Sequence, residues 1–250
     1  MKNRYFLRGF ILFAGCASLA SASIILVSPV EISGTGLGAV NTVLTLQSPA
    51  NSTIETGCVA PSGGGTTTSG CGFTDSKVQA QFNTPTLAAA GVASAADLRM
   101  VFNASEPGSA LDVQLNQLVL TLYSASGTAI DTHSLASPIL FPTIQNGTGN
   151  SGFVFRLDNA QALSAQTIIN ANGGVGAVRV GLGASIGVAA GGTGSATGGL
   201  ETFFIGSAGD VGVGGTSGGG GNVPEPASMA LIGAGLVGLA AFHKKRSPVS

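Results

Sequence analysis

Short runs of alternating apolar and polar residues follow one another along most of this chain. The clearest run is Ala110 to Tyr123, in which leucines recur at every second position from Leu118 to Leu122. A period of two places alternate side chains on opposite faces of a strand, so the run predicts a half-buried β-strand. Ser124 to Gly127 predicts a turn into a second strand over Thr128 to Leu135. Together these segments predict a hairpin of an antiparallel sheet.

Similar runs predict further strands elsewhere in the chain. They are Ile24 to Ile32, Val40 to Gln47, Val78 to Phe82, Leu98 to Asn103, Phe153 to Leu157, Val175 to Val188 and Leu200 to Ile205. Asn159 to Asn170 is the best helix candidate, with Asp158 as its N-cap, and the alanine-rich Ala88 to Asp97 is a second. Short strands at turn spacing predict a mainly β fold, namely an antiparallel β-sandwich with one or two short helices.

Charged residues are sparse and unevenly placed. The chain has 250 residues, of which 8% are charged, and a formal net charge of −1. Six of the ten basic residues lie near the two ends, so residues 23–222 hold four basic and ten acidic residues, a net of −6. Nucleic-acid binding needs a basic stripe, and this acidic middle region therefore argues against it.

The N-terminal 22 residues have the layout of a secretory signal peptide. Basic residues up to Arg8 precede an apolar stretch from Gly9 to Leu19, and Ala20 to Ala22 supplies a cleavage site. The alternative is lipoprotein processing at Cys16, although that motif has Phe13 where leucine is usual. Either route predicts export.

The C-terminal end combines three signals in a fixed order. An extended Pro-Glu-Pro motif precedes an uncharged apolar run, Ala227 to Phe242, and a basic cluster follows. The motif residues are Pro224, Glu225 and Pro226, and the basic residues are Lys244, Lys245 and Arg246. The run is at the short end of the roughly 17 to 25 residues that span a membrane, and the cluster marks a cytoplasmic flank. We expect a transmembrane helix over residues 227–242, after a flexible glycine-rich linker over residues 206–222.

This order of elements resembles the PEP-CTERM sorting signal of bacterial surface proteins. The resemblance covers residues 223–250, about a tenth of the chain. It implies that an exosortase, a membrane-embedded processing enzyme, recognises the Pro-Glu-Pro motif. It also implies export to the cell surface or to an exopolysaccharide matrix.

Cys58 and Cys71 flank a loop rich in glycine, serine and threonine. Exported proteins meet an oxidising compartment, and so flexible a loop allows the two cysteines to meet. We expect a disulfide, worth roughly 3 kcal/mol in the loop-entropy model, with free thiols as the alternative. A zinc site is not expected, because no histidine or third cysteine is near.

Candidates for catalysis are few. Asp131 and His133 share one face of a predicted strand, which leaves open an acid pair or half of a metal site; we prefer a solvated strand face. The spacing of Gly181, Gly183 and Gly187 misses the dinucleotide-binding pattern by one residue. No catalytic residue, metal or cofactor is therefore assigned.

Two classes of function remain. The first is a non-enzymatic surface or matrix protein, structural or adhesive, whose β domain spans residues 23–205 and for which exopolysaccharide is a candidate partner. The second is a secreted carbohydrate-active hydrolase with an acid pair among Asp97, Glu106, Asp112 and Glu201. A permanently anchored membrane protein differs from the first class in keeping its C-terminal signal.

Overall fold

The computed structural model describes residues 23–32, 41–47, 52–63, 65–73, 82–104, 112–141, 151–189, 191–196 and 200–209. All of them fall within one compact unit, residues 1–213. The predicted signal peptide, the transmembrane segment, most of the linker and all but one residue of the predicted strand Val78 to Phe82 lie outside these ranges.

Within the described ranges, the chain forms twelve strands and one helix. The strands are β1 (Ser23–Ile32), β2 (Asn41–Leu46), β3 (Ile54–Cys58), β4 (Ala60–Ser62), β5 (Gly65–Thr67), β6 (Leu98–Ala104), β7 (Val113–Tyr123), β8 (Ala129–Leu135), β9 (Ile139–Phe141), β10 (Ser151–Leu157), β11 (Arg179–Gly187) and β12 (Glu201–Ser207). The helix is α1 (Asn159–Ala171).

Ten of these strands join in one sheet. Nine follow the order β2-β12-β6-β10-β1-β8-β7-β11-β3, β9 pairs with β7, and β4 and β5 form a separate hairpin. The pairings are antiparallel except for β1 with β8, which meet in parallel through Ser23 with Ser134 and Ile24 with Leu135. The predicted mainly β, antiparallel class is confirmed. The two separate sheets of a sandwich are not seen, because this short parallel pairing joins the strands into one.

A single hydrophobic core connects the two sections of this sheet on either side of the β1–β8 pairing. Phe102 of β6 stacks on Phe203 of β12 with ring centroids 4.9 Å apart. Phe141 of β9 stacks on Phe153 of β10 at 3.9 Å. Since β9 belongs to one section and β10 to the other, the sheet folds back on itself and encloses these rings.

The predicted helix forms at the predicted place. The Asp158 carboxylate accepts a hydrogen bond from the Gln161 N–H at 2.9 Å, which satisfies a donor that the first turn leaves free. The helix buries Ala162, Ala165 and Ile169 in the core. Its apolar face therefore closes one side of the fold.

The second predicted helix is wrong. Ala88 to Asp97 forms turns instead, and Gly91 has a φ of +77° that a continuing helix excludes. The Val92 N–H donates to the Leu87 carbonyl across that turn. Glycine at this position ends the helical turn before a second one can form.

Candidate functional site

The segment between Cys58 and Cys71 folds over one face of the sheet. β3 pairs with β11 and ends at Cys58; the chain then forms the β4–β5 hairpin and returns to Cys71. The two cysteines form a disulfide with their Cα atoms 6.0 Å apart, as predicted. We call residues 58–63 and 65–73 the disulfide flap.

Two glycines of β11 let the disulfide flap lie close to the sheet. A β-carbon at Gly181 would overlap the carbonyl oxygen of Val59, and one at Gly183 would overlap the ring of Phe73. Between the two glycines, the Leu182 carbonyl accepts a hydrogen bond from the Val59 N–H at 2.8 Å. The glycines that resembled a nucleotide motif thus provide room for the flap.

Further contacts fix the hairpin of the disulfide flap. The Thr66 hydroxyl is 2.8 Å from the Thr84 hydroxyl, and the Arg179 guanidinium donates to both the hydroxyl and the carbonyl of Thr84 at 2.9 Å. Pro61 packs against Gly127 in the β7–β8 turn. A β-carbon added at Gly127 would lie 3.5 Å from the Cβ atom of Pro61, which is an ordinary van der Waals distance. The hairpin is therefore held through both of its strands, because Pro61 and Thr66 lie opposite each other in it.

Beneath the hairpin lies the cleft face of β7 and β8. Side chains on β7 alternate, so Leu118, Leu120 and Leu122 are fully buried in the core while the residues between them face the flap. Register pairs Val119 with Ser134 and Thr121 with Thr132 across the two strands. The resulting surface carries hydroxyl groups beside short apolar groups.

The disulfide flap and this surface line an open cleft of about 760 Å³. That volume lies in the range of ligand pockets, roughly 300 to 1,000 Å³. Flap residues lining the cleft are Ala60, Pro61, Ser62, Thr67, Ser69, Gly70, Cys71, Gly72 and Phe73. Sheet residues lining it are Gln117, Leu118, Val119, Thr121, Tyr123, Gly127, Ala129, Thr132, Ser134 and Leu135. Among these described lining residues, none carries a charge.

Tyr123 lies at the end of the cleft where β7 meets its turn. Burial raises the pKa of its phenol above the ordinary value, and a hydrogen bond with the Thr121 side chain opposes that rise in pKa. The phenol therefore stays protonated and able to donate at all ordinary pH values.

Sequence reasoning did not identify this cleft. The alternation of β7 could have pointed to its floor, because Gln117, Thr121 and Tyr123 occupy the face opposite the leucines. No local signal predicts the roof, since the flap reaches the sheet through a disulfide and two glycines distant in sequence.

Asp131 and His133 form the pair that their spacing allows. The His133 Nε2 atom lies 2.9 Å from the Asp131 carboxylate. His133 is only 2% exposed and pairs with Leu120, so it faces the core and not the cleft. The preferred solvated face is therefore wrong, because α1 contacts β8 and joins the core on that side.

The four carboxylates considered for hydrolysis lie away from the cleft or outside the described residues. The Asp97 carboxylate accepts hydrogen bonds from the Ala93 and Ala208 N–H groups, just beyond the end of β12. Glu201 is buried at the other end of β12, roughly 20 Å away along the strand. Asp112 precedes β7 outside the cleft lining, and Glu106 is not described.

No group of three or more potential metal ligands occurs in the part of the chain that the structure describes. Over the same ranges, none of the helical structure is long and apolar enough to cross a membrane. The sorting residues Pro224, Glu225 and Pro226 and the basic residues Lys244, Lys245 and Arg246 lie beyond the described residues.

Comparison with known proteins bears on this C-terminal part. Residues 222–246 match the family model of the PEP-CTERM protein-sorting motif. No curated protein and no solved structure matches the chain. The motif implies processing by an exosortase and export to the cell envelope or surface. The chain therefore carries a PEP-CTERM protein-sorting motif at residues 222–246.

Proposed function

We propose that the protein is a non-enzymatic component of the cell surface or extracellular matrix, with a structural or adhesive role. The sorting motif at residues 222–246 is the observation that supports the surface location in this proposal. The β domain is the part displayed there, and exopolysaccharide is its candidate partner.

The disulfide supports this location. Cys58 and Cys71 are bonded, and such bonds persist in oxidising compartments outside the cytosol. Export through a signal peptide over residues 1–22, cleaved after Ala22, brings the chain to such a compartment.

The chemistry of the cleft supports a non-enzymatic role. Catalysis needs a nucleophile, a base or a metal near the bound substrate, and the described cleft residues include no carboxylate, histidine or lysine. Asp131 and His133 face the opposite side of β8. Asp97 and Glu201 are much farther apart than the roughly 5 to 9.5 Å that separate paired glycosidase carboxylates.

In this proposal the C-terminal segment acts in three steps. Residues 227–242 hold the exported chain in the membrane, and Lys244, Lys245 and Arg246 stop its transfer. The exosortase then recognises Pro224, Glu225 and Pro226 and cuts or transfers the chain near that motif. The permanently anchored alternative omits this last step.

Mass spectrometry of the C-terminus tests the proposal. The full chain is expressed in hosts with and without an exosortase, and the surface product is isolated from each. We expect the peptide through Arg246 to be missing only where the enzyme is present. Its retention in both hosts contradicts processing and favours the permanent anchor.

A matched pair of variants shows whether the motif directs the cut. Replacing Pro224 and Pro226 by alanine removes the rigid extended geometry and should leave the C-terminus uncut. Replacing the exposed Pro138, which precedes β9, should not change processing. Equal processing of both variants would show that the enzyme reads another feature.

A further inference from the structure

We propose that the cleft beneath the disulfide flap binds a segment of an uncharged glycan. The inference deepens the proposed surface role by giving it a binding site and a class of partner. The inference depends on the proposed function in one respect: export brings the cleft into the compartment where the glycan is present.

Charge limits the class of ligand. No described residue lining the cleft is charged. Against these described residues, a phosphate, carboxylate or ammonium group would lose hydration without gaining an ionic partner, which is unfavourable. The described lining therefore fits an uncharged ligand better than a nucleotide, an acidic polysaccharide or a basic peptide.

The polar groups of the cleft match sugar hydroxyls. Thr121, Thr132 and Ser134 line the cleft, and a Thr or Ser hydroxyl can donate one hydrogen bond and accept others; the Thr121 side chain also bonds Tyr123, and Gln117 adds an amide. A sugar hydroxyl has the same dual character. Hydrogen bonds can thus form in either direction without either partner being ionised.

Apolar surface lies beside these groups. Phe73 and Pro61 line the flap side, and Val119 and Leu135 line the sheet side. The C–H faces of a sugar ring are apolar while its edge is polar, so the ring can bury its faces and bond through its hydroxyls. The mixed lining suits such a ring better than a purely polar or a purely apolar ligand.

An extended peptide is the main competitor, and the topology argues against it. Peptides that join a sheet gain most of their affinity by pairing with an exposed edge strand. Here β7 is paired with β11 on one side and with β8 and β9 on the other. The β7 part of the cleft floor therefore offers side chains but no unpaired strand edge, whereas the second edge of β8 pairs with β1 only at Ser134 and Leu135.

The cleft is also preorganised. The disulfide, the Val59–Leu182 hydrogen bond and the Thr66–Thr84–Arg179 contacts fix the flap before any ligand arrives. A ligand then does not have to order the flap, which lowers the free-energy cost of binding.

Binding is tested with the full chain and a panel of hexasaccharides. Cellohexaose, mannohexaose and chitohexaose are the uncharged probes, and hexagalacturonate and an uncharged Ser/Thr-rich peptide are the comparison probes. Affinities come from calorimetry. In a Tyr5→Phe chain Tyr123 is the sole tyrosine and tryptophan is absent, so its fluorescence reports whether binding reaches the cleft.

We expect at least one uncharged hexasaccharide to bind and to change Tyr123 fluorescence. Thr121→Val and Thr132→Val should each weaken that binding roughly threefold to tenfold, as expected for one hydrogen bond. Thr167→Val makes the same change on the exposed side of α1 and should leave affinity unaltered. Ala129→Leu, which fills the cleft from an exposed position, should reduce binding further.

Three results would overturn the inference. They are no binding of any uncharged hexasaccharide at millimolar concentration, tighter binding of hexagalacturonate or the peptide, and equal affinity of the cleft variants and the Thr167→Val control. Thermal unfolding of each variant excludes loss of the fold as the cause. If the chain binds a hexasaccharide but its C-terminus is never cut, only the proposed sorting is contradicted. If the C-terminus is cut but no hexasaccharide binds, only the proposed glycan site is contradicted.

Discussion

The two faces of β7 are covered by different parts of the chain. On the core face, Leu118, Leu120 and Leu122 are buried by neighbouring strands that the same alternation predicts. On the cleft face, Thr121 and Tyr123 are covered by a flap that comes from another part of the chain. The cover of the core face thus follows from the alternation of apolar and polar residues, whereas the cover of the cleft face requires one disulfide and two glycines.

The largest difference between the faces should appear on truncation. Leu120→Ala removes a fully buried side chain and should lower the free energy of unfolding by roughly 2 to 5 kcal/mol. Val119→Ala, one residue away on the partly exposed cleft face, should cost about 1 kcal/mol or less. Urea denaturation measures both, and equal losses would mean that the two faces are packed alike.

This contrast also separates what the sequence predicts from what it does not. The period of two in Val113 to Tyr123 identifies the strand, its buried face and its hairpin with β8, because those features are local. β3 was not predicted, since Ile54 to Cys58 shows no apolar alternation and buries Glu55. The parallel meeting of β1 with β8 joins residues more than a hundred positions apart, which no local pattern encodes.

The candidate site divides in the same way. The Cys58–Cys71 bond was predictable from compartment and loop composition, and the Pro224-Glu225-Pro226 motif from its flanking segments. The cleft was not predictable from the sequence. Gly181 and Gly183 leave space for Val59 and Phe73, and those contacts are known only from the fold.

The two glycines of β11 give the next largest test. Gly181→Ala brings a β-carbon against the Val59 backbone and should cost roughly 1 to 3 kcal/mol, because backbone cannot rotate away. Gly183→Ala meets the Phe73 side chain, which can move, so its cost should be smaller. Thermal unfolding of the Gly181→Ala and Gly183→Ala variants compares the two losses of stability. A larger loss for Gly183→Ala would show that the Phe73 ring is the more rigid contact.

The smallest effect concerns the pH dependence of stability. Because burial raises the pKa of Tyr123 in the folded protein, the folded state keeps its proton where the unfolded state, with a pKa of about 10, loses it. The free energy of unfolding should therefore fall as pH rises from about 10 through the folded pKa.

Absorbance titration of tyrosinate in a Tyr5→Phe chain gives that pKa directly. Thr121→Val removes the hydrogen bond that opposes the shift and should raise the pKa further. Titration at the value of an unfolded control would show that the phenol is not buried in the cleft.

The measurement that most directly tests the account compares hexasaccharide affinity in the oxidised and reduced full chain. Loss of the disulfide should cost roughly 3 kcal/mol, which a typical domain with 5 to 15 kcal/mol of stability survives, and circular dichroism checks that the sheet remains. We predict that reduction, or joint Cys58→Ser and Cys71→Ser substitution, weakens binding of the uncharged hexasaccharide by tenfold or more, on the order of 1.4 kcal/mol. Equal affinity in the oxidised and reduced forms would contradict the claim that the disulfide flap builds the binding site.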